Sequence, residues 1–186
     1  NPEQACVLRE DFAKCWSKST SLNSIANKLD NYTAKPGWTG SRLFTSSNYL
    51  KMGQGSNMGE LTTPMLDTPL ADGLTIVLTL TPFGSSNKMT GSVSILLKSG
   101  NMQGSYDADG TQTLIFTTPS IEEAYQVKLS PSTVCYISHF EVYDGVFSSE
   151  QLGIDDDDED SGKQSIPMAG GKRSVKRNAI TTTTYT

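Results

Sequence analysis

The sequence has little with which to fill a large core. Of its 186 residues, 35% are hydrophobic, a modest share beside the roughly 45–50% usual on a count that adds glycine. No run approaches the roughly 18 apolar residues of a membrane span. The longest apolar-rich stretch, residues 74–83, is broken by Thr75, Thr79, Thr81 and Pro82, which excludes a transmembrane segment there. Metal-binding residues are scarce too. Cys6, Cys15 and Cys135 form no C-x-x-C pair, and His139 is the single imidazole, so a zinc site has too few ligands. The thiols are expected to be reduced; Cys6 and Cys15 are the nearest pair, and their joining stays open. A basic excess is missing as well. The net charge is −5, with 10 basic and 14 acidic residues up to Gly153, and 5 and 6 beyond it. Neither part could neutralise a phosphate backbone, so nucleic acid is excluded as the main partner. Gly53-Gln54-Gly55 lacks the partners of a phosphate loop.

What is abundant is hydroxyl and turn chemistry. Ser and Thr together make 44 residues, beside 16 Gly and 8 Pro, a composition for short strands joined by turns. Leu74, Ile76, Leu78 and Leu80 alternate with Thr75, Thr79 and Thr81; Val93, Ile95 and Leu97 repeat the scheme, as do Tyr125, Val127 and Leu129. Successive side chains of a strand point to opposite faces, so this is the pattern of half-buried antiparallel strands. Leu114 and Phe116 share a face in 113–117, and less regular strands are expected at 5–12, 43–44, 49–52, 60–63 and 135–143. Turn clusters separate them at 71–73, 84–87, 99–101 and 107–110. Helical turns are expected near 22–28 and 148–152. Eight or nine short strands predict an all-β fold, a two-layer antiparallel β-sandwich of jelly-roll type.

Residues 1–153 form the expected domain. Residues 154–180 read as a flexible linker, acidic at Asp155 to Asp160 and then basic around Lys172-Arg173 and Lys176-Arg177. Thr181 to Thr186 has strong β-propensity and reads as the opening strand of a further, truncated module. The chain opens at Asn1 without methionine or a leader pattern, as a processed chain or a piece of a longer one would.

Several motifs carry a resemblance. Leu29-Asp30-Asn31-Tyr32-Thr33, Pro36-Gly37-Trp38-Thr39-Gly40, Leu50-Lys51-Met52-Gly53 and Leu61-Thr62-Thr63-Pro64 follow in order, between Leu8-Arg9-Glu10-Asp11-Phe12 and Phe140-Glu141-Val142-Tyr143-Asp144-Gly145. Together they resemble a jelly-roll module, similar in plan to galactose-binding-like and carbohydrate-binding modules, from multidomain surface and secreted proteins of Bacteroidetes-type bacteria. The resemblance implies a non-catalytic extracellular module with neighbouring modules in the same polypeptide, a fibronectin type III-like one among them. It also implies a structural calcium between a Glu near the first strand, which Glu10 matches, and an Asp in the last, where Ser138 stands instead.

Trp38, on a Gly-flanked loop, could offer its face to a sugar ring, with Tyr32, Tyr49 and Tyr106 as companions; the other reading folds it down as a plug. Trp16, beside Cys15 and Phe12, is expected in the core. Asp107 and Asp109 have the alternating spacing of calcium loops, and equally that of a hairpin turn; Thr118 stands where a calcium loop would end in Glu. His139, between Ser138 and Phe140, reads as an ordinary strand residue without an orienting acid. Glycosidase carboxylates would have to come from Glu60, Glu122, Glu123 or Glu141, which spacing cannot pair. The expected function is therefore carbohydrate binding without catalysis. The alternative is a structural or adhesive spacer that contacts protein and has no glycan ligand.

Overall fold

The structure, a computed structural model, describes residues 1–154 and 175–180. It is a two-layer β-sandwich of jelly-roll type. A short helix, α1 (Pro2–Ala5), precedes strand β1 (Cys6–Glu10). Then come β2 (Thr39–Ser41), β3 (Leu43–Ser46), β4 (Tyr49–Met52), β5 (Glu60–Thr62) and β6 (Leu74–Pro82). The second half supplies β7 (Lys88–Leu96), β8 (Met102–Asp109), β9 (Gln112–Thr117), β10 (Gln126–Pro131), β11 (Cys135–Asp144) and β12 (Val175–Ala179). One sheet runs β12-β9-β6-β11-β4-β3 with β1 also on β11; the other runs β2-β5-β10-β7-β8.

The alternating residues form the core between the layers. Ile76, Leu78 and Leu80 of β6 face Val93 and Ile95 of β7, with Phe140 and Phe116 filling the middle. In one respect β6 departs from the expected half-buried strand: its first seven residues are all buried. Its outer residues are covered because the chain after β11 folds back across that sheet. Val77, Ile115 and Tyr143 there pack under Ile154, with Phe147 and Leu152 alongside. Thr75 anchors the return, its hydroxyl donating to the Gly145 carbonyl at 2.7 Å and accepting the Phe147 N–H at 2.9 Å. The Thr79 and Thr113 hydroxyls pair at 3.1 Å, so these three buried threonines have partners.

Strand β8 is absent from the sequence expectations because small residues occupy two of its three buried positions. Gly104, Tyr106 and Ala108 face inward while Ser105, Asp107 and Asp109 are exposed. Its neighbour β7 makes room for the tyrosine at one point: a Cβ at Gly91 would come within 2.4 Å of the Tyr106 hydroxyl and 2.8 Å of the Pro131 Cα. Strand β12 lies in the segment expected as linker. It pairs parallel with β9 from Val175↔Thr113 to Ala179↔Thr117, and Ile180 follows into the core. The acidic run at 155–160, the Lys172-Arg173 pair and the terminal 181–186 lie outside the described residues.

All three cysteines are free thiols. Burial pushes the Cys135 thiol up to about 12, and burial followed by the Glu10 and Asp11 charges does the same for Cys15; burial also raises half-buried Cys6. The thiolate is the reactive form. Native protein at pH 8 is therefore expected to react slowly with a thiol reagent, with Cys6 first, and to release all three thiols on unfolding. Rapid labelling of Cys15 or Cys135 in the native state would contradict this placement.

Candidate functional site

The loop between β1 and β2 is built by residues that turn inward to hold it. Glu10 is buried, and its two carboxylate oxygens accept the backbone N–H groups of Phe12 at 2.8 Å and Ala34 at 2.7 Å. The Thr33 hydroxyl, also buried, donates to the carbonyls of Leu29 at 2.8 Å and Lys35 at 3.1 Å. Asp30 accepts the Gly37 N–H at 3.0 Å. Gly37 has φ +108°, and a Cβ there would meet the Pro64 Cβ at 3.0 Å, so the turn into Trp38 requires glycine.

These ties leave an open depression of about 480 Å³, lined by the 3-10 turn Ala26–Asn31 and by residues 37–39. Leu29 is buried beneath the turn, while Asn27, Lys28, Asp30, Asn31 and Thr39 are exposed around it. The rim thus offers two carboxamides, an ammonium, a carboxylate and a hydroxyl within one concave surface, on backbone pinned from below. The volume lies within the range of small-molecule pockets. Trp38 closes one side. It is only 4% exposed, packed edge-on against Phe12 at 5.9 Å and Phe140 at 5.2 Å between ring centroids. Its indole Nε1 is buried with no hydrogen-bond partner.

In this structure Trp38 takes the inward position: 4% exposed and packed against two phenylalanines, it leaves little ring surface for a sugar. Nor do the tyrosines gather around it. Tyr32 is half-buried against the core, and its carbonyl receives the Cys15 thiol at 3.7 Å. Tyr49 begins β4 and is 38% exposed, away from the depression. Tyr106 belongs to the other sheet, 4% exposed, with a partnerless hydroxyl and a phenol that burial pushes upward. Trp16 is corrected in the opposite sense. It is 51% exposed, because Cys15 ends the 3-10 turn pointing inward and the next residue, in extended backbone, turns out. In the sequence a polar turn around one leucine looks like any solvated turn, and nothing marks Asn27 or Lys28 as rim residues.

The residues expected at calcium do not gather: Glu10 ends β1 in one sheet, whereas Asp107 and Asp109 lie on β8 in the other. Glu10 is a lone carboxylate with both oxygens on backbone N–H groups, and among the described residues no three His, Cys, Asp or Glu side chains could jointly hold a metal. Asp107 and Asp109 stand on extended β8 rather than on a loop, and Asp109 pairs with Lys88 at 3.3 Å. The carboxylates considered for hydrolysis are dispersed. Glu60 meets Lys128 at 3.4 Å, Glu123 accepts the Lys98 N–H and the Ser99 hydroxyl, and Glu141 meets Arg9 at 3.3 Å and accepts the Tyr143 hydroxyl. His139 Nδ1 lies 3.3 Å from the adjacent Ser138 hydroxyl, on β11.

Neither a family model nor a curated protein matches the chain. Among solved structures, a CBM35 from Cellvibrio japonicus Abf62 is similar, at 18% identity and a TM-score of 0.40, over 75% of this chain and 94% of that one.

Proposed function

We propose that this chain is a non-catalytic binding module that takes one or two sugar rings in the depression between the Ala26–Asn31 turn and residues 37–39. The observation that carries the reading is the rim itself: Asn27, Asn31, Asp30, Lys28 and Thr39 converge on one concavity, over a loop fixed by Glu10 and Asp30. Carboxamides, which donate and accept, and carboxylates, which accept, are groups that pair with vicinal hydroxyls, and a pre-ordered loop keeps the entropic cost of binding low. Recognition would run through hydrogen bonds at the rim and not through stacking on Trp38. The dispersed carboxylates fit a module without chemistry.

In this reading the module belongs to a larger secreted or surface polypeptide of the Bacteroidetes type, with neighbouring modules that include a fibronectin type III-like one. The ordered motifs from Leu8 to Gly145 support that setting. Repetition along such a chain would raise a modest single-site affinity.

The test is a titration of the full chain against a glycan panel, alongside an Asn27→Ala/Asn31→Ala variant. Both residues are exposed, so folding should be retained. Losing two hydrogen bonds of about 1 kcal/mol each predicts at least a tenfold loss of affinity. Unchanged binding in the variant would discard the site, and silence from folded protein across the panel would favour the spacer.

A further inference from the structure

We infer that the outer face of the β3-β4-β11-β6 sheet is a second carbohydrate site, a platform for an extended, uncharged glycan chain; this rests on the sugar-binding reading above. Three aromatic side chains are exposed among the described residues: Trp16 at 51%, Tyr49 at 38% and Phe83 at 43%. The strand registers bring all three to one face. Trp16 bridges to Ser46, and Ser46 pairs with Tyr49. The next row along the same strands is Phe44, Lys51, Tyr136 and Thr81, each the cross-strand partner of the one before. The residues between these rows, Leu50, Ile137 and Leu80, are in the core, so both rows point away from it. Phe83 joins the second row, 6.0 Å from Tyr136 between ring centroids.

Tyr49 shows that a ring at this place is costly to keep. It sits at φ +75°, just after the β3–β4 turn, in the left-handed region where glycine is the usual occupant. The turn is held around it, with the Ser46 hydroxyl donating to the Tyr49 carbonyl at 2.8 Å and accepting the Asn48 N–H at 3.1 Å. Strain of this kind persists where the surroundings enforce it and is concentrated at binding sites.

Charge and area select the occupant. The one cation in the two rows, Lys51, has its ammonium 4.6 Å from the Phe83 ring centre and 5.7 Å from that of Phe44. It is engaged by rings, which fits an uncharged partner. The three exposed rings offer on the order of 300 Å², well short of the roughly 800 Å² per partner of a stable protein interface. Flat faces in that small area match the C–H faces of pyranose rings. Trp16 and Tyr49 flank the same residue from two sides, about 10 Å apart by strand spacing, which suits alternate rings of one extended chain.

The test compares full-length protein with Trp16→Ala and Tyr49→Gly, each binding to linear β-linked polysaccharides (cellulose, xylan, mannan and chitin) and to the corresponding monosaccharides. Glycine suits the φ of residue 49, so that variant should fold at least as well as the parent. The expected result is at least a tenfold loss of polysaccharide affinity in either variant, with monosaccharide binding at the loop depression unchanged. Polysaccharide binding that ignores both substitutions, while the Asn27→Ala/Asn31→Ala variant loses monosaccharide binding, would overturn the platform and leave the proposed function standing. No binding of any glycan would overturn both. A concentration-dependent dimer abolished by Trp16→Ala would also overturn it, assigning the face to a second copy of the chain.

Discussion

Trp38→Ala is expected to lower the free energy of unfolding by about 3–5 kcal/mol, the usual cost of emptying a large aromatic site in a core. The size follows from its surroundings. The indole is 4% exposed and meets Phe12 and Phe140 edge-on, contacts worth more than their area alone. It also stands where the β1–β2 loop closes onto the sandwich, so the vacancy cannot collapse without disturbing the depression. Since whole domains are stable by only about 5–15 kcal/mol, such a variant would be marginal at physiological temperature. Urea titration checks this against Trp16→Ala, where the side chain is half in solvent and the change should stay within about 1 kcal/mol. Equal losses at the two tryptophans would contradict the assignment of one to the core and the other to the surface.

Glu10→Ala should cost about 2–3 kcal/mol, because it leaves the buried N–H of Phe12 and the part-buried N–H of Ala34 without their acceptor. Glu10→Gln retains one carbonyl acceptor and should lose about half as much. The same residue decides the calcium question. If Glu10 is a clasp for backbone, chelation by EGTA leaves the melting temperature of the parent protein unchanged. A melting temperature that falls with chelator and recovers with added calcium would make Glu10 an ion ligand after all. The loop effect should also reach the depression, since Ala34 lies in the chain between the two segments that line it.

Much of the sandwich was legible because long side chains alternated on its central strands. Leu74 to Leu80 and Val93 to Leu97 announce two opposed faces with no help from elsewhere. Strand β8 does the same with Gly104, Tyr106 and Ala108, and small inner residues give too weak a contrast to register. Strand β12 depends on pairing with β9 across some sixty residues of chain, which no local pattern encodes. The tryptophans show the limit most clearly. Glycines around Trp38 permit an exposed loop, yet they equally permit the tight turn that folds the ring inward, and Pro64 close against Gly37 enforces the second. Trp16 beside Phe12 and Cys15 looks buried by association, but the chain leaves the 3-10 turn at Cys15 for extended backbone at Trp16, and the second side chain turns out. The candidate site is harder to see in the sequence: the motif around Trp38 marks its neighbourhood, whereas Asn27 to Asn31 read as an ordinary polar turn.

Two tryptophans in the whole sequence make one measurement decisive. In a proton–nitrogen correlation spectrum, the indole N–H of Trp38 reports the wall of the depression and that of Trp16 reports the outer face. Titration of the full chain with a panel of sugars should move the Trp38 signal, in step with the backbone amides of residues 26–31 and 37–39. A folded protein whose indole and loop signals stay fixed across the panel would contradict the sugar-binding account.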